Sequence, residues 1–389
     1  MRRRIGFLVS HPIQYYAPIF RELARRCDLT VFFAHRQDAS GQGRAGYGVA
    51  FDWDVDLLSG YESHFLRNVA RTPSTQTFFG CNTPEIADRI AAGRFDAFVV
   101  PGWSLHSYWQ AVRACSRAHV PVMVRGDSQL GGQRRGVVGY VKGTVFPHVL
   151  KQFDACLYVG QRNREYLEHY GVPPARLFFS PHCVDNDAFS EGSAAARAAR
   201  SQDDLGSRRR VLFVGRLVES KRPMDLVLAA ARLAASGESV ELVIAGAGEL
   251  QAPMEEAARA GGVAAQFLGF VNQSGLPAVY ASADALVLPS TAVETWGLVV
   301  NEAMACGVPA VVSDAVGCGP DLVEPGVTGA VAPMGDVSAL AAAIASVLAL
   351  DPGATRRVLA ERMAIYSPAR AADGILGAAD TLAAAVRLR

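Results

Sequence analysis

Short runs of apolar residues alternate with segments of helical period along most of the chain. Runs that are apolar on both faces belong in parallel strands covered on both sides, not in half-exposed antiparallel ones. In the first half they fall at 5–9 (IGFLV), 29–33 (LTVFF), 95–100 (FDAFVV), 120–124 (VPVMV) and 155–159 (ACLYV). Residues 13–27 follow the first run with apolar side chains at 13, 16, 19, 20, 23, 24 and 27, which is one face of a helix. The repeated unit is βα, and the predicted fold class is α/β with a doubly wound sheet.

The rhythm breaks once. Residues 188–210, AFSEGSAAARAARSQDDLGSRRR, are small, polar and charged without an apolar period, and read as a linker or loop. After it come strands at 211–214, 240–245, 265–268, 285–288 and 309–312, with helices at 224–235, 250–260, 275–282, 298–305 and 336–349. The expected organisation is two Rossmann-like domains: 1–187, a linker or loop at 188–209, 210–365, and a C-terminal helix at 366–389 that could pack back on the first domain. A length of 389 residues suits two domains of about 150–200.

Half of the chain is hydrophobic and 19% charged, the balance of a soluble globular protein. No apolar run reaches the roughly 18 residues of a membrane helix. Arg2-Arg3-Arg4 precede only about five apolar residues, short of the 7–15 of a signal peptide's core, so 5–9 is read as the first strand. The cysteines, at 27, 81, 115, 156, 183, 306 and 318, include no CxxC, which suggests neither a disulfide framework nor a structural zinc site and fits a reducing cytoplasm. Residues 1–185 hold 22 Lys and Arg against 15 Asp and Glu, a surplus of +7. That surplus suits an anionic neighbour such as a phospholipid surface or phosphorylated acceptor, although uneven surface charge alone accounts for it as well. Lysine occurs only at 142, 151 and 221, so each marks a place where a compact ammonium stands in an arginine-rich chain.

Several strand ends carry chemistry. After 211–214 come Gly215, Arg216, Ser220, Lys221 and Pro223; the glycine permits a sharp turn, Ser220 is placed to cap the next helix, and Pro223 suits its first turn. Arg216 forks two oxygens and Lys221 adds a mobile point charge, a pair able to neutralise a diphosphate. A solvated basic loop would look the same. Gly246-Ala247-Gly248 is a bare GxG, a weak signal for a tight turn near a ligand. Phe270 and Val271 stand where backbone groups could meet a base edge. In STAVETWGLVVNEAMACG, 290–307, a helix must begin near Gly297, leaving free N–H groups at Gly297, Leu298 and Val299 as an anion site. Glu294 precedes that start and Glu302 lies about one and a half turns after it. Each carboxylate can accept from two neighbouring hydroxyls, as a reader of a diol does. A solvent-facing Glu302 on an amphipathic helix is the plainer alternative.

GRLVESKRP, VIAGAGEL, ADALVLPS, ETWGLVVNEAMACGVPAVVSD and LVEPGVTGAV, in this order across about 211–350, resemble the donor-binding half of the retaining GT-B glycosyltransferases of family 4, the glycosyl transferases group 1. Glu294 and Glu302 match that family's E-x7-E pattern. The resemblance implies a GT-B fold, two Rossmann-like domains facing across a cleft, and a nucleotide-diphosphate sugar donor. It implies that Arg216 and Lys221 hold the diphosphate, Glu302 the ribose, and Glu294 the sugar together with N–H groups from Gly297 to Val299. No cofactor and no metal is expected, since the two cations supply the electrostatics of a metal.

The first half fits that family less well. The usual glycine-rich first loop is replaced by Ser10-His11-Pro12-Ile13-Gln14-Tyr15. Where many relatives carry a histidine after a later strand, residues 120–124 are followed by Arg125-Gly126-Asp127-Ser128. The acceptor-side candidates are therefore His11, Gln14, His106, Arg125 and Asp127, with a structural role open for His11, His106 and Asp127. His182, in SPHCVDNDAF, falls at the expected hinge and is read as structural. Residues 134–151, RRGVVGYVKGTVFPHVLK, read either as a membrane-surface helix or as a cleft-covering loop and helix. The expected activity is metal-independent, retaining hexosyl transfer from a UDP-sugar, or a GDP-sugar, to a glycan, lipid-linked or small-molecule hydroxyl. The expected setting is the cytoplasm, with contact to the inner membrane face open and no nucleic-acid partner. A nucleotide-sugar 2-epimerase and a non-catalytic two-domain binding protein remain as alternatives.

Overall fold

The computed structural model describes residues 2–43, 49–131, 137–199, 208–238 and 240–387. The first elements are β1 (Arg4–Val9), α1 (Ala17–Arg26), β2 (Asp28–Phe33), α2 (Ala39–Gln42), β3 (Glu62–Phe65), α3 (Ile86–Gly93) and β4 (Ala97–Val100). Next come α4 (His106–Ala118), β5 (Val122–Gly126), α5 (Val137–Leu150), β6 (Ala155–Tyr158), α6 (Gln161–His169), β7 (Leu177–Phe179) and α7 (Asn186–Ala199). The chain continues through β8 (Arg209–Val214), α8 (Pro223–Ala235), β9 (Val240–Ala245), α9 (Gln251–Ala260), β10 (Ala264–Gly269), α10 (Leu276–Ala281) and β11 (Ala285–Leu288). It ends with α11 (Leu298–Ala305), β12 (Ala310–Ser313), α12 (Gly319–Leu322), β13 (Gly329–Ala332), α13 (Val337–Leu348), α14 (Pro352–Ile365) and α15 (Pro368–Arg387).

The chain divides into two units, one of Met1–Asp38, Asp56–His182 and Ser367–Arg389, the other of Ala39–Val55 and Cys183–Tyr366. Each holds one parallel sheet, ordered β3-β2-β1-β4-β5-β6-β7 in the first and β10-β9-β8-β11-β12-β13 in the second. Both orders reverse direction, at β1/β4 and at β8/β11, and such a switch point opens a crevice beyond the carboxyl ends of the strands. The central strands β4, β11 and β12 are buried at every residue, as their unbroken apolar runs require. The edge strands of the first sheet escaped the sequence pattern because they are only partly covered: β3 reads Glu-Ser-His-Phe and β7 has three half-buried residues.

Three segments differ from expectation. Residues 186–199, read as part of a loop, form α7, while 200–207 of the expected linker lie outside the described residues. Alanine-rich sequence is the strongest helix former, and Phe189 and Ser193, four residues apart, give α7 its buried side. Phe189 lies 6.1 Å from the Tyr280 ring of α10, and its carbonyl accepts from Cys306 Sγ. Residues 39–55, expected within the first domain, group with the second unit instead. In the basic segment, 134–136 lie outside the described residues, whereas Phe146 and Leu150 near the end of α5 are buried in the first unit's core. No single helix among the described residues is long and apolar enough to cross a membrane.

Helix α15 packs in the first unit. Arg26 Nη2 donates to Asp373 Oδ1 at 2.6 Å, and Ser180 Oγ donates to the Ala371 carbonyl at 3.0 Å. At Gly374 helix and strand approach so closely that a Cβ would stand 1.9 Å from the Phe179 carbonyl oxygen. Alanine is ordinarily better than glycine inside a helix by about 1 kcal/mol. Here overpacking wins, and Gly374→Ala is expected to destabilise by about 2 kcal/mol in urea unfolding; a gain in stability would mean that α15 does not rest on β7.

Candidate functional site

In the second unit the loops that follow β8 and β11 flank the switch point and hold most of the residues singled out from sequence. Gly215 and Gly246 bring the ends of β8 and β9 into backbone contact. A Cβ on Gly246 would lie 1.8 Å from Gly215 O, and Gly246 N donates to Gly269 O at 2.7 Å. Arg216 is exposed, and its side chain has no hydrogen-bond or ion-pair partner among the described residues. Ser220 does not cap α8: a 3₁₀ turn, Glu219–Lys221, intervenes, and Arg222 occupies the cap position at φ 49°. The Arg222 fork is taken by Asp225, at 2.6 and 3.1 Å. Ser220 instead offers its carbonyl to the N–H and Oγ of Thr291, at 2.9 and 3.1 Å, lacing the two loops together.

A side-chain bond crosses the same gap: Lys221 Nζ donates to Glu294 Oε2. Both side chains are largely withdrawn from water, at 23% and 15% exposure, so this pair is less screened than a surface one. Trp296 is buried and donates from Nε1 to Asn301 Oδ1 at 2.8 Å, which explains the polar Asn301 in an apolar helix start. Gly297 turns into α11 at φ 102°, a conformation that favours glycine. The N–H groups of Gly297, Leu298 and Val299 have no acceptor among the described residues, while Val300 N returns to Gly297 O at 2.9 Å. Three free donors at the start of an eight-residue helix have the geometry to receive an anion. Glu302 does not face solvent: it is 1% exposed and accepts from Tyr280 OH at 2.7 Å. Ser290 Oγ, buried at the end of β11, has no partner among the described residues.

Phe270 and Val271 follow β10, where the ladder slips between Phe267 and Gly269. Phe270 meets Phe51 at 4.4 Å between ring centroids, and Phe51 meets Trp53 edge-on at 4.9 Å. Asn272 Nδ2 donates to Asp52 O at 2.8 Å, and Ser274 donates from N and Oγ to the Asp54 carboxylate. Residues 51–54 thus cover the end of β10. Sequence reasoning missed this, because the segment has no periodicity and lies more than two hundred residues from its partners.

In the first unit His11 and Gln14 follow β1, and His106 follows β4, on either side of that sheet's switch point. Gln14 is buried. Ser10 Oγ and His11 Nδ1 share a hydrogen bond of 2.9 Å. His106 begins α4 with Nδ1 buried and unpaired among the described residues, beside the rings of Phe78 and Phe79 at 6.0 and 5.7 Å. Phe79 itself is 72% exposed. Arg125 is placed otherwise than its candidacy for a ligand suggested. It is 1% exposed and donates to Ser180 Oγ at 3.1 Å and Pro181 O at 2.7 Å, so its guanidinium ties β5 to the exit of β7. Asp127 is half exposed, 3.8 Å from the partly buried His182. Among the described residues no group of three or more His, Cys, Asp or Glu could hold a metal.

Residues 197–366 match the family described as glycosyl transferases group 1. That stretch spans both loops, Arg216 and Lys221, and Glu294 and Glu302. The second unit carries a group 1 glycosyltransferase domain. The chain is 34% identical over 295 residues to D-inositol 3-phosphate glycosyltransferase of Geodermatophilus obscurus, an overlap of 71% of this chain and 63% of that protein. It therefore spans less than two thirds of the length of that relative. A glycosyltransferase structure from Rickettsia africae superposes with a TM-score of 0.69 at 12% identity, covering 98% of this chain and 99% of the other. Anabaena HepE, solved in complex with UDP and glucose, does so at 0.66 and 17%, covering 96% and 99%. These likenesses establish the GT-B fold. The group 1 domain ends at Tyr366, where α14 gives way to α15.

The histidines of the first unit yield a pH expectation. Burial and the neighbouring His35 lower the His11 pKa from 6.5 to about 4, and burial also lowers those of His35 and His182. The unfolded chain then binds protons that the folded one refuses. The stability involved is present above about 6.5 and is lost as the pH falls towards 4. Urea unfolding of wild type and His11→Gln between pH 7.5 and 4.5 should show a shallower loss in the variant; parallel curves would place His11 in water.

Proposed function

We propose that the chain is a retaining, metal-independent glycosyltransferase that takes a hexose from a nucleotide-diphosphate sugar, a UDP-sugar first and a GDP-sugar second. The observation that carries the reading lies at the β8/β11 switch point, within the segment matched by the group 1 family. Among the described residues Arg216 stands without a partner, Lys221 faces Glu294 across the gap, and three N–H groups at the start of α11 stand free. This set suits a diphosphate, and Glu294 and Glu302 suit the hydroxyls at its two ends. The UDP and glucose in the HepE structure favour uridine and a hexose.

In this mechanism the donor diphosphate approaches Arg216 and the α11 start and competes with Glu294 for Lys221. As the glycosidic bond breaks, charge grows on the diphosphate. Donors already aimed at it stabilise that charge more than they stabilise the ground state. Glu294, released from part of its bond to Lys221, accepts from sugar hydroxyls. The acceptor hydroxyl enters on the face from which the diphosphate departs, so configuration is retained, and a donor phosphate oxygen takes its proton. Glu302, set by Tyr280, receives the ribose diol. The basic first half and its histidines at the strand ends suit a glycan, lipid-linked or small-molecule acceptor, with contact to an inner membrane face in the lipid-linked case.

Mass spectrometry of UDP- and GDP-sugars incubated with the pure protein, with and without acceptor hydroxyls, tests the reading. Wild type should release one nucleoside diphosphate, and Lys221→Ala should do so at least about a hundredfold more slowly while keeping the wild-type circular dichroism spectrum. Near-normal turnover by Lys221→Ala would remove Lys221 from the mechanism, and interconversion of two nucleotide sugars would identify an epimerase.

A further inference from the structure

A second site is built at the opposite edge of the second unit's sheet. A cavity of about 550 Å³ opens where β8, β11 and β12 begin, lined among others by Arg197, Arg208, Arg209, Arg210, Asp284 and Arg356. β8 is six residues long, so this edge lies about 20 Å from Arg216 and Lys221. The volume is that of a small-molecule site.

Charge sets its chemistry. Asp284 is the only carboxylate among the lining residues, and it is paired with Arg209 at 3.2 Å. Arg210 is paired with Glu241 at 2.8 Å, and Arg197 donates to the Cys306 carbonyl, closing the end of α11. Arg208 and Arg356 are exposed and have no side-chain partner among the described residues. Helix ends count as well. α10, α11 and α13 finish beside the cavity and together contribute roughly one and a half negative charges, whereas α14 starts there with its first turn capped by the Asp351 carboxylate, Ala354 N donating to Oδ1 at 2.6 Å. The two full guanidinium charges outweigh the three helix ends, so the cavity favours anions. Arg208 begins the approach to β8 and Arg356 stands on α14, so one fork comes from each of two elements. A guanidinium fork matches phosphate geometry, and two separate forks call for two anionic groups on one molecule.

We propose that this cavity binds a small molecule carrying two or more phosphate groups, at a site separate from that of the sugar donor. Soluble metabolites and phospholipid headgroups share that chemistry, and the open volume among three arginine-bearing elements points to the soluble form. Calorimetric titration with fructose 1,6-bisphosphate, alongside co-sedimentation with phosphatidylglycerol vesicles, tests it. Wild type and Lys221→Ala should bind the bisphosphate saturably, and Arg208→Ala/Arg356→Ala should bind at least tenfold more weakly while keeping the wild-type circular dichroism spectrum. The proposal is overturned if the bisphosphate does not saturate the wild type. It is equally overturned if binding survives the double substitution but not Lys221→Ala, or if only vesicles bind and do so through Arg208 and Arg356.

Discussion

The bond from Lys221 to Glu294 holds together the two loops on which the donor chemistry would depend. Each residue alone would be a partly buried charge without compensation. Paired, they settle both loops before any ligand arrives, helped by Thr291 on the Ser220 carbonyl. An incoming diphosphate would exchange one anionic partner of Lys221 for another, at lower cost than desolvating a free ammonium. The same exchange would free Glu294 for neutral hydroxyls. Binding and positioning would then be one event.

Around that pair the backbone does much of the remaining work. Gly246 lets β9 end against Gly215, and Gly297 aims the start of α11 at the crevice. Trp296 and Asn301 hold the bend between Glu294 and the helix. Glu302 is fixed by Tyr280, whose ring also meets Phe189 of α7. The helix misread as a linker therefore supports the position of Glu302, the acid proposed to face the donor. It reaches the arginine-lined cavity too, since α7 carries Arg197.

What the sequence shows depends on how local the cause is. The buried strands of both sheets were legible because a strand covered on both faces must be apolar throughout, and Val287 or Val311 could hardly be anything else. Lys221, Glu294 and Gly297 were legible because strand-end loops put short, ordered motifs beside one another. Arg125 misled, since a guanidinium at a strand end looks the same whether it meets a ligand or the Ser180 and Pro181 of its own chain. Phe51 on Phe270 and Asp54 on Ser274 were out of reach, because nothing in a short aperiodic segment names a partner so distant. Residues 186–199 were misread for a different reason: their helix buries little beyond Phe189 and Ser193, too few side chains to set a period.

The central claim is that the β8/β11 crevice is a nucleoside-diphosphate site in which Glu302 reads the ribose without a metal. Calorimetric titration of UDP and GDP into wild type and Glu302→Gln, in EDTA, tests it most directly. The substitution keeps the shape of the side chain against Tyr280 and removes its charge. The account predicts that one nucleotide binds the wild type saturably and binds the variant at least tenfold more weakly, a loss of about 1.4 kcal/mol. Equal affinity in the two proteins, or no binding of either nucleotide, would contradict it.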